Sequence, residues 1–236
     1  VHLVYCPEGS FLMGSNQGEP SERPVHQVNI AHPLLMGQSL VTQRLWALVM
    51  GHSPSRFVDP NRPVERVSWL ESISFCNRLS ALAGFRPVYK VDTTGVCKID
   101  FQANGYRLPT EAEWEYTAKA SQETLFAGGQ RALDVAWSSR SARGESKPVM
   151  QKTPNTWGLY DMSGNVAEWC GDVATSYEHR PKVLHDPFFD ADEGDRVIRG
   201  GAWSCSAYLC RVASRGSAPA NARGPDIGLR VCRHLS

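Results

Sequence analysis

Between Gly128 and Gly201 the chain spends glycine, proline, aspartate, asparagine and serine freely and offers only short apolar runs, yet it keeps Trp137, Trp157 and Trp169. Such a stretch is either a disordered linker or a set of loops pinned from inside, and linkers rarely carry tryptophan. Pinned loops are therefore expected across about a third of the chain. No internal repeat, low-complexity tract or compositional break separates two halves, so 1–236 reads as one domain, long enough to bury a proper core.

Regular structure is expected mainly outside that stretch. Val25 to Ile30 alternates apolar and polar residues with the period of a half-buried strand, after the apolar run Phe11 to Ser15 and a polar turn. Thr42 can cap a helix through Met50 that Gly51 stops. Ser68 and Glu71 form a capping box ahead of a helix to about Ala83, with Gly84 as its stop and Phe75, Leu79 and Leu82 on one face. Thr110 and Glu113 form a second box for a helix through Ala118, with Trp114 and Ala118 inward. Its Glu111, Glu113 and Glu115 read as first-turn partners of the helix dipole.

Composition excludes several classes. A net charge of +1 gives no electrostatic footprint for nucleic acid or an anionic membrane. Apolar stretches such as Leu45 to Met50 are far too short for a transmembrane segment. The seven cysteines include no Cys-x-x-Cys pair, which removes zinc-ribbon and thioredoxin patterns. Cys6, Cys76, Cys97 and Cys170 read as small buried hydrophobes. No phosphate loop, His-Glu-x-x-His or nucleophile elbow occurs. The acidic run Asp186 to Asp195, with His179 and His185 nearby, follows no ligand spacing and reads as a solvated loop. His26, His32, His52 and His234 are isolated and receive no role.

Three segments carry the family signal: Arg107-Leu108-Pro109-Thr110-Glu111-Ala112-Glu113-Trp114, Gly164-Asn165-Val166-Ala167-Glu168-Trp169, and Arg199-Gly200-Gly201-Ala202-Trp203 with the closing Ile227-Gly228-Leu229-Arg230. Over nearly the whole chain they resemble the formylglycine-generating-enzyme, or sulfatase-modifying-factor, family. The resemblance implies an α+β, C-type-lectin-like fold of that type, loop-rich, with about three short helices. It also implies a structural calcium ion held by the Asp161 and Glu168 side chains and the carbonyls of Gly164 and Val166. Two carboxylates seven residues apart around a tight turn suit a hard cation, although Asp161 and Asn165 can equally be there to satisfy turn amides. Enzymes of the family bind copper(I) through two cysteines five apart just after a Gly-Gly-Ser, and convert a substrate cysteine to formylglycine. Cys205 and Cys210 have that spacing, which makes them the catalytic pair of the enzymatic alternative. Against it, Ala202 stands where the enzymes have an active-site serine, and Ala167 where a tryptophan is usual.

The tail supports a second resemblance. Between Ser204 and Arg230 there is no Lys, Glu, Gln, Met or Trp, all of which the chain uses earlier. Codons ending in a pyrimidine cannot encode those five residues. A bed of small loops tolerating only compact side chains would leave a similar record. With that composition the tail resembles the variable region of diversity-generating-retroelement variable proteins, of the treponemal type, built on this same fold. The resemblance implies a non-catalytic ligand-binding protein that displays a massively diversified C-terminal surface over about 203–231. Arg199 to Trp203, Ala207, Cys210 to Ala213, Arg215, Pro219, Arg223 and Ile227 to Val231 would form its fixed frame. The exchangeable, ligand-binding positions would be Ser204, Cys205, Ser206, Tyr208, Leu209, Ser214, Gly216, Ser217, Ala218, Asn221, Ala222, Gly224, Pro225 and Asp226, with Trp203 and Tyr208 as aromatic anchors. The partner would be a protein or another exposed surface ligand. The resemblance further implies a cell-surface protein, lipid-anchored through a segment absent from this chain. A non-diversified structural or sensor member of the family is the third reading.

Overall fold

A computed structural model describes residues 1–91, 97–178, 180–191 and 193–235. His179 and Asp192, parts of the acidic stretch singled out above, lie outside the described residues. The strands are β1 (Leu3–Cys6), β2 (Gly9–Met13), β3 (His26–Ile30), β4 (Leu34–Gly37), β5 (Tyr89–Val91), β6 (Cys97–Ile99), β7 (Ala167–Val173), β8 (Val183–His185), β9 (Arg196–Arg199), β10 (Arg215–Ala218), β11 (Ile227–Gly228) and β12 (Cys232–His234). The helices are α1 (Gln43–Met50), α2 (Trp69–Leu82), α3 (Glu111–Lys119) and α4 (Ala132–Val135).

The capping residues act as their sequence suggests. Thr42 Oγ1 accepts from Leu45 N, and the chain leaves α1 through Gly51 at φ 81°. Ser68 with Glu71, and Thr110 with Glu113, each close a reciprocal capping box. β3 buries His26, Val28 and Ile30 and turns Gln27 outward, the alternation expected of it. Leu82 is a correction: Phe75 and Leu79 are buried, but Leu82 is 71% exposed because the last turn of α2 runs past the core. The four-residue α4 was not foreseen; it is too short to leave a periodic pattern.

β7 is the second departure. Its sequence, Ala-Glu-Trp-Cys-Gly-Asp-Val, looks too polar for a buried strand, yet all seven residues are buried. Glu168 and Asp172 can be there because each is fully partnered. Glu168 pairs with Arg230, while Asp172 accepts from the amides of Glu111 and Phe189. β7 stands in a four-stranded sheet of order β10-β9-β7-β11. There β11 runs parallel to β7, setting Ile227 opposite Ala167 and Gly228 opposite Glu168. Two three-stranded sheets, β1-β4-β12 and β2-β3-β8, and the hairpin β5-β6 complete the strands.

Two apolar groups meet at this sheet. One gathers Trp114, Leu159, Met162, Cys170, Val197 and Val212; the other gathers Trp46, Trp69, Phe75, Trp169, Leu229 and Val231. Trp169 Nε1 donates to Val67 O and Trp69 Nε1 to Cys170 O, so both large rings enter the core with their polar edges satisfied. Cys6, Cys76 and Cys170 are buried among these side chains. The loops between α3 and β7 are pinned, and an asparagine contributes as much as the tryptophans. Asn155 donates to Thr117 O and Ala118 O and accepts from Trp157 N and Leu159 N, while Trp157 packs edge-on against Tyr116.

Candidate functional site

The tail leaves β9 through Gly200 and Gly201 and returns as β10 and β11 on the two flanks of the sheet. Four arginines fasten it to the body. Arg199 donates to Ala213 O, Ser214 O and the Glu115 carboxylate. Arg215 forms a bidentate pair with Glu111 at 2.7 and 2.8 Å. Arg211 pairs the same way with Glu22, at 2.7 and 3.0 Å. Arg230 spans the Glu168 carboxylate, Gly37 O and Tyr160 O. The α3 carboxylates are thus more than dipole partners: Glu111 and Glu115 are buried anchors of the tail, and Glu113 holds the buried Arg107. Burial would raise the Glu111 pKa, but Arg215 and Arg199 outweigh it and keep the carboxyl below its ordinary range. Charge-assisted forks of this kind fix geometry as well as charge.

On this frame the proposed exchangeable positions sort by exposure. Ser204, Ser206, Tyr208, Leu209, Gly216, Ser217 and Asn221 are exposed; Cys205, Ala218, Ala222, Gly224, Pro225 and Asp226 are partly exposed. In contrast Ala202, Cys210, Arg211, Val212 and Ile227 to Val231 are buried. Ser214 is the correction: it is buried under Arg199, which takes its carbonyl, and cannot display a side chain outward. Glycines separate along the same line. A Cβ on Gly201, at φ 67°, would lie 2.6 Å from Leu209 O, and one on Gly228 would lie 2.4 Å from Val64 O, both backbone atoms. On Gly216 it would meet only the Ile198 side chain at 3.2 Å, and on Gly224 chiefly the movable Asp226 carboxylate.

The displayed face continues beyond the tail. Trp203 donates from Nε1 to Pro225 O and packs edge-on against Phe57, with ring centroids 5.4 Å apart. Next to Phe57 stands Val58, 88% exposed. This loop had no sequence signal, since a single exposed valine between polar residues has no periodicity. A groove of about 360 Å³ opens between the Gly200–Leu209 segment, β10 and Asp226.

Cys205 lines that groove, and its sulfur lies 3.9 Å from that of the buried Cys210. Cys210 is buried and Cys205 partly exposed. Either thiol can donate across the sulfur contact; with Cys210 as donor and the Ala202 N–H 3.1 Å from the Cys205 sulfur, the Cys205 thiol is held down at about 7 and Cys210 is pushed upward in return. The pair fits a soft ion through its two sulfurs. Position 202 offers an amide to the sulfur but no side-chain hydroxyl.

The carboxylates proposed for calcium do not fit that ion. Both oxygens of Glu168 accept from Arg230 at 2.9 Å, and a buried guanidinium there opposes a divalent cation. Asp161 has one oxygen on Met150 N at 2.8 Å and the other 3.4 Å from Asn165 Nδ2, and burial raises its pKa. The amides of this turn are bonded to neighbouring backbone rather than to the carboxylates: Gly164 N to Gly200 O and Asn165 N to Trp137 O. Among the described residues no group of three or more His, Cys, Asp or Glu is placed to hold a metal.

The sulfatase-modifying factor enzyme 1-like domain model matches residues 1–235, and the chain belongs to that family. Its fold is the C-type-lectin-like, loop-rich mixed fold that the three motifs implied. Among solved structures, Treponema denticola variable protein 1 superposes with a TM-score of 0.93 at 31% identity, over 99% of this chain and 95% of that one. The chaperone protein LppX of Paenibacillus barcinonensis is 35% identical over 232 residues, covering 84% of this chain and 79% of LppX. The formylglycine-generating enzyme of Streptomyces coelicolor is 30% identical over 192 residues, 72% of this chain but only 52% of the enzyme, so the chain spans about half of that relative's length. Among the described residues no helix is long and apolar enough to cross a membrane.

Proposed function

We propose that this chain is a non-catalytic ligand-binding protein whose C-terminal face, about 203–231 of a single 1–236 domain, is diversified by a retroelement of the kind that makes variable proteins. The observation that carries the reading is the coincidence of two independent divisions. The positions that the resemblance to variable proteins sets apart are, Ser214 excepted, exposed or partly exposed, whereas Ala202, Cys210 to Val212 and Ile227 to Val231 of the frame are buried; Pro219 and Arg223 are the exposed frame residues. The likeness to Treponema denticola variable protein 1 over almost the full length supports it. A binder needs a stiff bed under replaceable side chains, and the four fastened arginines and Trp203 supply one. Its partner is a protein or another exposed surface ligand. The site of action is the cell surface, reached through a lipid anchor carried on a further segment.

Two experiments test this. Sequencing the surrounding DNA is expected to find a near-copy of the codons for 203–231, with adenines where the gene differs; a tail without such a template counts against diversification. A displayed library randomised at the exchangeable positions is expected to yield folded binders to unrelated proteins; a library that mostly unfolds sinks the reading.

The rival reading is a copper-dependent formylglycine-generating oxidase, favoured by the 3.9 Å sulfur pair. Cys205 and Cys210 would hold the copper(I) ion, which would supply oxygen activation. Ala202 brings no hydroxyl to that centre, and losing one such donor costs about a hundredfold or more in rate. Incubation with copper(I), oxygen and a Cys-x-Pro-x-Arg peptide is expected to leave the peptide cysteine unchanged; formylglycine in the product would reverse the assignment.

A further inference from the structure

The groove beside Cys205 has apolar walls and, in Asp226, a carboxylate without an ion pair at its mouth. Leu209, Ala218 and Ile227 supply aliphatic surface along its length. Two guanidiniums, those of Arg199 and Arg215, also border it, but both are committed to the buried carboxylates Glu115 and Glu111. Asp226 is different. Its Oδ2 accepts from the Ser204 hydroxyl, while no donor among the described residues reaches its Oδ1. Asp226 carries no ion pair at 4.0 Å or closer among those residues, and it is partly exposed.

We infer that this groove is a subsite for one basic side chain, lysine or arginine, projected by a protein partner. The aliphatic stem of such a residue would lie on Leu209 and Ile227, and its cationic head would meet Asp226 beside the Ser204 hydroxyl. Long basic side chains are divided in this way, an apolar stem behind a hydrated charge. An acidic side chain would face Asp226, and an aliphatic one of equal length would leave that carboxylate facing apolar surface. The inference deepens the display reading, on which it rests: Ser204, Leu209 and Asp226 are all exchangeable positions, so this set of side chains would be the specificity of this variant.

The test uses the whole chain and three small probes, the Nα-acetyl N-methylamides of lysine, norleucine and glutamate, followed through the amide NMR shifts of Leu209, Ala218 and Ile227. The lysine derivative is expected to bind about fivefold more tightly than the norleucine one at low salt, the scale of one partly exposed ion pair. The ratio should shrink toward one at high salt. Asp226→Asn should remove the preference, and Ser204→Lys, which sets a cation beside Asp226, should do the same by another route. A preference that is absent in the native chain, that survives Asp226→Asn, or that favours glutamate overturns the subsite, as does a failure of all three probes to shift those amides. The outcome is separable from the display reading: a tail library that still yields binders while lysine shows no preference sinks the subsite alone, and the reverse result sinks display alone.

Discussion

Arg230 and Glu168 meet in a fork with both N–O distances at 2.9 Å and neither side chain exposed to solvent. This pair ties the end of the tail to β7 and occupies the oxygens that a calcium ion would need. Removing one member leaves a buried charge unpaired. Arg230→Ala is therefore expected to cost about 3–5 kcal/mol in urea unfolding, far more than a surface ion pair is worth. Calcium and a chelator are expected to leave the Tm of the native chain unchanged. A saturable rise in Tm with calcium would place an ion in this segment.

Substitutions along the tail should divide by exposure. Ser206→Lys, Ser217→Arg and Asn221→Glu alter exposed positions and are expected to change stability by within about 0.5 kcal/mol. Gly228→Ala drives a Cβ into Val64 O and should cost about 1–3 kcal/mol or more. Ser214→Arg is the sharper comparison with Ser217→Arg. Both serines belong to the compositionally unusual tail, but Ser214 is buried and should not tolerate the larger residue. Chemical denaturation of the five exposed and buried variants together checks the division.

What the sequence disclosed and what it hid follow from the range of the interactions. The caps at Thr42, Ser68 and Thr110 involve neighbours three residues away, so their helices were legible with their boundaries. Composition marks the tail from Ser204 to Arg230 only as a whole, and the individual exchangeable positions were assigned by the resemblance to variable proteins. By contrast, Glu111 pairs with Arg215 across 104 residues and Glu115 with Arg199 across 84, and no local pattern announces such a partner. β7 was hidden for the same reason: Glu168 and Asp172 look like surface residues until their distant partners are known. Ser214 was placed among the displayed residues by that resemblance, whereas its burial depends on where Arg199 ends up. Phe57 and Val58 join the displayed face only through the packing of Phe57 on Trp203.

His234 should make the fold sensitive to acid. Its Nε2 accepts from Arg107 Nη2 at 2.8 Å, and burial together with that guanidinium lowers its pKa to about 4 against an ordinary 6.5. Glu113 and Asp186 pull in the opposite direction and His32 in the same one. Between those two values the unfolded chain binds a proton that the folded chain refuses, so stability rises with pH across the window. Acidification from about 6.5 to 4 is expected to cost on the order of 1 kcal/mol through this residue, after discounting for its partial exposure. His234→Gln should flatten that part of the stability profile. An unchanged slope in the variant would assign the acid sensitivity to other groups.

Cys205 should be the one thiol of the tail that reacts near neutrality. Its thiol is held at about 7 by the Cys210 donor and the Ala202 amide, so thiolate accumulates as pH rises through that value. Burial pushes Cys6 to about 12 and Cys97 to about 11, and it also raises Cys210, so these stay protonated under the same conditions. Iodoacetamide labelling of the folded chain, located by peptide mass, is expected to mark Cys205 first, with a rate half-maximal near pH 7. Cys210→Ala removes the principal donor and should move that midpoint upward, toward an ordinary thiol, while leaving Cys205 equally accessible. A midpoint that stays near 7 in Cys210→Ala would transfer the effect to the Ala202 amide. A native midpoint near 9 would show that the 3.9 Å sulfur contact does not activate the thiol at all.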